Sequence, residues 1–440
     1  MILFDRYSKL KKQAPGATVH AGQKQLLPLL SGTLRKNDLP ELIVEPSNVQ
    51  ELQTVLKFAA EKDMRVAVAS GHSPAAVHEL EGAMLILVHR LSGPSQLSSD
   101  GMGLWVNSGT PLETIAVELA QRGLVWLPLH PLEPGETMGT LFARAAEGVR
   151  CHRGGGVLSN IRRIEWVGYD GERFATGPGS TGDNIDVSPL LFGSGARYGI
   201  MTRFELALEA IPESRTLLLC ECQSIQELSD IYHGWRYGVP MPSALPFWTG
   251  IATNALRQGN DNFVSESAVG LLACEWEGNI GVDVAPELVH QRSEGITPVN
   301  HMWQNLFRLP RTLNRLFASK SCGRYRLPSE ALCDFDERVT ELARDRSLTV
   351  AVWGTLDIGH VNVWVLHPDD EARTARRAAE LLERLAEDAL NLQGCPVQLA
   401  SGMSDVSLYR DALTQSWELA LVSKCDPASR HKPLRAQTTA

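Results

Sequence analysis

A short buried strand that runs directly into a glycine turn most constrains how this chain can fold. Residues 65–69 (RVAVA) have the apolar character of a buried strand, and residues 70–74 (SGHSP) follow with no spacer. Glycine lets the backbone turn tightly at such a junction, and the N–H groups there can close on a phosphate. Strand-to-glycine turns are common, so the meaning of this one depends on what lies downstream.

Length and composition set the broad class of the protein. A chain of 440 residues is long enough for two or three domains, and a hydrophobic fraction of 43% is typical of a globular protein with a large core. The formal net charge of −9 argues against a nucleic-acid partner. Short basic stretches near both ends are interpreted as solvated termini, with docking to an acidic partner or a membrane surface as the alternative.

The cysteines and the absence of targeting patterns favour a reduced, cytosolic setting. Eight cysteines are spread along the chain without a CxxC pair or a Cys/His cluster, so we expect no iron–sulfur cluster and no metal site in this chain. Residues 1–12 (MILFDRYSKLKK) lack a signal-peptide pattern, and no apolar stretch approaches transmembrane length. We expect a cytoplasmic protein, with peripheral association with the inner face of the membrane as a second expectation.

Two further loop segments that contain glycine follow in the first half of the chain. Thr137, Met138 and Gly139 stand just before a short predicted helix, where unpaired N–H groups and the helix dipole favour an anion. Residues 191–202 (LFGSGARYGIMT) form another glycine-rich turn that enters a strand. The sequence therefore predicts anion-binding turns at residues 70–73 and 137–139, followed by a third glycine-rich turn at 191–202.

The pattern of predicted strands and helices changes at about residue 213. Strand and helix patterns there follow the order strand, helix, strand, strand, helix, strand, which is the ferredoxin-like order. We predict an α+β fold with four parts: an N-terminal extension (1–37), a first domain of two subdomains (38–212), a ferredoxin-like α+β cap (213–405), and a C-terminal segment (406–440) that packs back on the first domain.

Residues 42–208 resemble the FAD-binding (PCMH-type) domain of the vanillyl-alcohol oxidase / p-cresol methylhydroxylase superfamily. The matching motifs stand in the family's order: residues 70–74, residues 137–148 (TMGTLFARAAEG), residues 164–171 and residues 193–202. Within the superfamily, the chain looks most like glycolate oxidase flavoprotein subunits and FAD-linked D-lactate dehydrogenases. It departs from them at Thr140, Ala145 and Glu147, where glycolate-oxidase-like chains usually have Gly, Asn and Gly.

The resemblance implies FAD as the cofactor. In some relatives the histidine that matches His72 is bonded covalently to the flavin, so covalent attachment through His72 and noncovalent binding are both open. The residues implied in FAD binding are Val68, Ala69, Ser70, Gly71, His72, Ser73, Pro131, Thr137, Met138, Gly139, Ala143, Gly148, Gly199 and Ile200.

The cap carries the candidate catalytic residues. Arg308, Arg311 and Arg324 are candidate clamps for a substrate carboxylate, since a guanidinium binds carboxylate in a bidentate manner. His360 and His301 are candidate proton acceptors. The metal-ligating run of catalytic relatives is eroded, because His360 and His367 should point to opposite faces of one strand and no acid–His pair follows. We select His360, Arg324 and Arg311 as the catalytic set.

The leading hypothesis is an FAD-dependent oxidoreductase of the glycolate/D-lactate type that acts on a hydroxy acid or related alcohol. The resemblance implies that it passes electrons to a separate iron–sulfur subunit. Two alternatives stay open. One is a non-catalytic flavin-fold subunit of an electron-transfer complex, favoured by the eroded cap motifs. The other is a sugar-lactone or alditol oxidase, suggested by residues 71–74 (GHSP).

Overall fold

Three sheets organise the chain in the computed structural model. The structure describes residues 2–31, 39–71, 75–76, 80–128, 135–177, 185–236, 242–258, 263–278, 289–317, 319–368, 372–399 and 410–431.

The first sheet holds the strand that leads into the glycine turn. Its order is β1-β3-β6-β4, and β3, β6 and β4 are parallel. The sequence explains this burial, because residues 42–44 (LIV) and 84–87 (MLIL) are apolar at every position, as strands covered on both faces require. The elements are α1 (Ile2–Gln13), β1 (Thr18–Ala21), α2 (Gln23–Leu26), β2 (Leu30–Ser31), β3 (Leu42–Glu45), α3 (Val49–Glu61), β4 (Val66–Ala69), β5 (Ala75–Ala76) and β6 (Met84–Leu87).

The second sheet is antiparallel, with the order β11-β10-β12-β8-β7. A hairpin at Asp170-Gly171 joins β10 to β11, and Gly171 has a φ of +84° there. The elements of this region are β7 (Gln96–Leu97), β8 (Gly103–Asn107), α4 (Leu112–Gln121), β9 (Leu124–Val125), α5 (Met138–Ala143), α6 (Cys151–Gly154), β10 (Ile161–Val167), β11 (Arg173–Thr176), α7 (Ser188–Leu191), β12 (Ile200–Ala207) and β13 (Glu209–Ala210).

The third sheet has eight described strands in the order β17-β14-β16-β15-β19-β20-β18-β21. The elements after the second sheet are β14 (Arg215–Cys222), α8 (Ile225–Arg236), β15 (Pro246–Gly250), α9 (Ile251–Arg257), β16 (Gly270–Glu277), β17 (Val289–Glu294), α10 (Ile296–Leu306), α11 (Leu309–Leu316), β18 (Ser319–Arg326), α12 (Leu332–Asp345), β19 (Thr349–Thr355), β20 (His360–His367), α13 (Ala372–Asn391), β21 (Cys395–Gln398) and α14 (Ala412–Cys425).

This sheet contains one strand arrangement twice. Strands β18 to β21, with α12 and α13, follow the ferredoxin-like order along the chain and lie side by side as fourth, first, third, second. Strands β14 to β17 repeat that spatial order, and the two halves meet where β15 pairs with β19. The α+β class predicted from the sequence is confirmed, although the sequence shows no repeat. The four domain boundaries stay a prediction.

The C-terminal segment returns to the first two sheets. The N–H of Tyr169 donates to the carbonyl of Cys425 (2.7 Å), and the N–H of Val66 donates to the carbonyl of Arg430 (2.8 Å). The carboxylate of Asp426 accepts from the backbone N–H groups of Arg430 (2.7 Å) and His431 (2.9 Å). Residues 426–431 are thereby held beside the free edge of β4.

A buried ion pair fastens the third sheet to the segment that carries the cofactor loops. Arg150, beside α6, donates from Nε and Nη2 to the two carboxylate oxygens of Glu275 on β16, at 2.6 and 3.0 Å. The indole N–H of Trp303 also donates to Glu275 (2.5 Å). Burial acts to raise the pKa of Glu275, but the Arg150 guanidinium outweighs burial and holds the pKa below its usual range.

Removing one partner of this pair should strongly destabilise the fold. We expect Glu275→Gln to lower the free energy of unfolding by about 3–5 kcal/mol, because it leaves the Arg150 guanidinium buried without a counter-charge. Denaturant midpoints and melting temperatures measure the effect. The matched control is Glu380→Gln, in the exposed Arg376–Glu380 pair, which should cost less than about 1 kcal/mol. Equal losses in the two variants would contradict the assigned role of the buried pair.

Candidate cofactor and substrate site

The turn after β4 has glycine where no other residue fits. Val68 and Ala69 end the strand, and Ser70 and Gly71 leave it. Gly71 has a φ of +90°, and a Cβ on it would lie 2.2 Å from Nδ1 of His89. The backbone therefore passes directly over the His89 ring, as the predicted anion-binding turn requires. His72, Ser73 and Pro131 lie outside the described residues, so covalent attachment through His72 stays a prediction.

The second predicted loop begins a helix, but its first N–H groups already have partners. Thr137 caps α5, which begins at Met138, so Met138 and Gly139 lie within the helix and not just before it as predicted. The N–H of Met138 donates to the carbonyl of Thr110 (3.2 Å), and the N–H of Gly139 donates to the carbonyl of Ser108 (2.9 Å). The expectation that these N–H groups are unpaired and available to an anion is therefore wrong. The 108–110 backbone, which the sequence placed at the end of a strand, occupies them.

The 108–110 turn supplies polar groups of its own. Oγ of Ser108 and Oγ1 of Thr110 are buried and have no hydrogen-bond partner among the residues that the structure describes. A Cβ on Gly109 would lie 2.5 Å from the carbonyl oxygen of Val88, and a Cβ on Gly139 would lie 3.0 Å from Cβ of Ser108. Buried hydroxyls beside close backbone approaches fit the diphosphate of a dinucleotide such as FAD, which would accept their hydrogen bonds.

Three close approaches in series bring the predicted cofactor loops together. The backbone of Gly71 lies on His89, the backbone of Gly109 lies on residues 88–91, and the backbone of Gly139 lies on Ser108. The ends of the first and second sheets are thus packed against each other through these turns, which we take as the candidate cofactor site.

The remaining predicted FAD-binding residues lie around α5 and the last turn. The carbonyl of Ala143 accepts from the N–H of Gly195 (3.1 Å), which joins α5 to the turn at 193–199. Gly199 has a φ of +120°, and a Cβ there would lie 2.4 Å from the carbonyl oxygen of Val167. Ile200 begins β12 and is buried. The carbonyl of Gly148 accepts from the Cys151 thiol (3.0 Å) and faces the cap side of the segment.

A cavity separates the 136–149 segment from the third sheet. It takes residues from both sides, so it lies between the cofactor-binding region and the cap. Its polar lining is made by Glu136, Arg144, Glu147, Arg324, His360 and Asn362.

Two guanidinium groups enter this cavity from opposite sides. Nε of Arg324 donates to Oδ1 of Asn362 (3.0 Å), and its Nη1 donates to Oε1 of Gln398 and to the carbonyl of Arg144. Nη2 of Arg144 donates to Glu136. Nε of Arg144 is buried and has no hydrogen-bond partner within the described part of the chain. The cavity therefore holds two guanidinium groups, of which Arg144 is paired with Glu136, and a guanidinium is suited to binding a carboxylate.

Two titratable groups, His360 and Glu147, line the same cavity, and a third, Asp357, interacts electrostatically with Glu147. His360, the first residue of β20, is 2% exposed and lines it. Burial raises the pKa of Glu147, even though its carboxylate accepts from the N–H of Val157 (2.6 Å) and lies 3.2 Å from Arg326. Burial also raises the pKa of Asp357, in the turn before β20, to about 7.

Arg311 does not reach the cavity. It is exposed on α11, whereas Leu309 and Pro310 of the same helix line the cavity. A helix turns about 100° per residue, so the side that packs against the cavity carries Arg311 away from it. Arg308 and His301 are also exposed and absent from the cavity lining. Of the predicted catalytic set, the structure brings together His360 and Arg324 only.

Arg144, Glu136 and Asn362 line the cavity, and sequence reasoning did not select them. Arg144 belongs to the 137–148 motif, which the sequence analysis assigned to cofactor binding. Nothing in that motif indicates that the Arg144 side chain lines a cavity next to the third sheet. Asn362 could have been predicted from the sequence. It is two residues from His360 on a predicted strand, so the two side chains share one face of the sheet.

The class of protein follows from a family comparison. Residues 40–177 match the family model described as FAD binding domain (FAD_binding_4). The chain carries an FAD binding domain, and FAD is its cofactor.

Several curated proteins to which the chain is similar are named as dehydrogenases or oxidases of hydroxy acids. "Probable D-lactate dehydrogenase, mitochondrial" of Danio rerio is 24% identical over 249 residues, covering 54% of this chain and 49% of that protein. The "Glycolate oxidase subunit GlcD" of Escherichia coli (strain K12) is 22% identical over 405 residues, covering 88% of this chain and 80% of that protein. Across the first three relatives, the match covers 35% to 49% of their length.

A solved structure shares the whole fold. The 4-ethylphenol oxidase from Gulosibacter chungangensis superposes with a TM-score of 0.72 at 11% identity, covering 97% of this chain and 95% of that one. The PCMH-type fold and the two-part α+β architecture are thus confirmed. In the described regions no helix is both long and apolar enough to cross a bilayer.

The unpartnered hydroxyl of Ser108 gives a direct test of the candidate cofactor site. We expect Ser108→Ala to weaken FAD binding about 5- to 10-fold, because one hydrogen bond to the cofactor is lost. The melting temperature of the FAD-free protein should not fall, since the hydroxyl bonds no described residue. FAD titration followed by fluorescence, with exposed Ser416→Ala as control, measures both. Unchanged FAD affinity, or a loss of stability without FAD, would refute this placement.

The raised pKa of Asp357 predicts a pH-dependent stability difference. A carboxyl whose pKa is raised on folding is favoured when protonated, so its contribution is largest below about pH 4 and is lost as pH rises toward 7. We expect Asp357→Asn to match wild type near pH 4 and to be more stable by roughly 2–4 kcal/mol at pH 8. Melting temperatures at both pH values provide the check. A difference that does not grow with pH would contradict the burial of this charge.

Proposed function

We propose that the chain is an FAD-dependent oxidoreductase that oxidises a 2-hydroxy acid. The observation that carries the proposal is the cavity between the cofactor-binding region and the third sheet, in which Arg324, Arg144 and His360 converge. A carboxylate-binding cation, a buried proton acceptor and a bound redox cofactor are the components that hydroxy-acid oxidation needs. The names of the curated relatives support the same class.

The chain's own residues would divide the work as follows. FAD, when bound, supplies the hydride-accepting chemistry. Arg324, oriented by Asn362 and Gln398, would bind the substrate carboxylate together with Arg144. His360 would accept the proton of the substrate hydroxyl. The burial of His360, at 2% exposure, keeps water away from that proton.

The wider setting is also a proposal. One relative is named as a glycolate oxidase subunit, which supports a role within an assembly. We propose that an iron–sulfur partner takes the electrons in that assembly. We place the assembly in the cytoplasm, with peripheral contact to the inner face of the membrane through the complex.

Two arginines that the sequence treats alike should behave differently. We expect Arg324→Ala to lower kcat/KM for the hydroxy acid about 100-fold, from loss of a charge-assisted hydrogen bond in a buried setting. Arg311→Ala, on the exposed side of α11, should stay within about twofold of wild type. Anaerobic bleaching of the flavin absorbance by glycolate and by each lactate enantiomer gives the rates, with FAD content and melting temperature measured for each variant.

The same assay decides among the functions left open by the sequence. Bleaching by hydroxy acids that depends on Arg324 supports the proposal. A yellow protein that no hydroxy acid or lactone reduces would favour a non-catalytic flavin subunit, and reduction by lactones or alditols alone would favour the sugar-oxidase class.

A further inference from the structure

One row of side chains crosses the third sheet beneath the cavity. Cross-strand pairing places Arg324 opposite Asn362, Asn362 opposite Trp353, and Trp353 opposite Trp248. Directly opposed residues in antiparallel strands point to the same face of the sheet. All four residues line the cavity, so the row forms its floor.

The floor changes character along its length. Arg324 and Asn362 make a polar end, tied together by a 3.0 Å hydrogen bond. Trp353 and Trp248 make an apolar end, and Trp353 is braced by an edge-on contact with Trp364, with ring centroids 4.7 Å apart. Leu306, at the end of α10, closes the cavity over the apolar end.

The spacing of the row matches a particular kind of acid. Neighbouring strands lie about 4.8 Å apart, so Trp353 is about 10 Å from Arg324 along the floor. A carboxylate on Arg324 would put the hydroxyl-bearing carbon near Asn362 and any substituent of that carbon over Trp353. A substrate without a substituent, such as glycolate, would leave this indole surface in contact with water.

We propose that the enzyme selects 2-hydroxy acids with an apolar side chain, and that Trp353 and Trp248 are the residues that determine this specificity. This inference rests on the proposed function for its reaction. The binding preference itself depends only on the floor of the cavity, so it can be measured without turnover.

The experiment uses the FAD-loaded protein and two matched series. Calorimetry measures the binding of non-reacting acids: acetate, butanoate, 4-methylpentanoate and 3-phenylpropanoate. Flavin bleaching measures kcat/KM for glycolate, lactate, 2-hydroxybutanoate, 2-hydroxy-4-methylpentanoate and 3-phenyllactate, with resolved enantiomers. We expect affinity and kcat/KM to rise about threefold for each added methylene until the cavity is filled.

Substitutions at Trp353 test whether the preference for apolar side chains comes from the tryptophans on the floor of the cavity. We expect Trp353→Ala to remove at least tenfold of the gain for the longer acids and to change acetate and glycolate less than threefold. Trp353→Phe is the milder variant, to be used if Trp353→Ala perturbs folding. It keeps an aromatic ring, so it should keep most of the gain in affinity for the longer acids. Trp417→Ala, on the exposed face of α14, is the control.

The outcomes separate the two proposals. Equal binding of all the acids, no binding of any, or a Trp353→Ala loss that is uniform along the series would overturn the apolar preference. Rising affinity with no flavin bleaching by any hydroxy acid would leave the apolar subsite standing and refute the proposed function. Bleaching by glycolate as fast as by longer acids would support the proposed function and overturn this inference.

Discussion

The buried pair of Arg150 and Glu275 holds the two sides of the cavity together. Arg150 follows the 137–148 segment along the chain, and Glu275 is central in the third sheet. Both charges are removed from water, so the pair is stable only while its geometry keeps every oxygen hydrogen-bonded. The pair thereby joins the segment that carries Arg144 to the sheet that carries Arg324. It acts together with the direct hydrogen bond from Nη1 of Arg324 to the carbonyl of Arg144.

The candidate cofactor site and the candidate substrate site use different kinds of structure. The candidate cofactor site is made of turns, where glycine allows one backbone to lie against the next, as Gly139 does against Ser108. The cavity proposed for the substrate is lined largely by side chains on a sheet, where the register of pairing decides which groups are neighbours. Turns can be recognised by local sequence, whereas register depends on strands that are far apart along the chain.

The same contrast explains what the sequence could predict. Glycine at 71 and 199 is legible because a positive φ and a close backbone approach exclude other residues. The hydrogen-bond partners of Met138 and Gly139 could not be predicted from the sequence. The carbonyl groups that accept from their N–H groups belong to a turn about 30 residues earlier in the chain. The sequence alone does not distinguish Arg311 from Arg324. The orientation of α11 turns Arg311 to the exposed side, whereas Arg324 lies on the face of β18 that lines the cavity. The doubled strand order of the third sheet has no counterpart in repeated sequence.

The contact between Val66 and Arg430 has a consequence for how the protein is made. The edge of β4, which carries the first cofactor turn, is completed by residues synthesised more than 350 positions later. During synthesis that edge stays uncovered while the third sheet forms, and exposed strand edges favour association with other chains. The newly made protein therefore depends on its last segment to close the sheet that the first cofactor turn leaves.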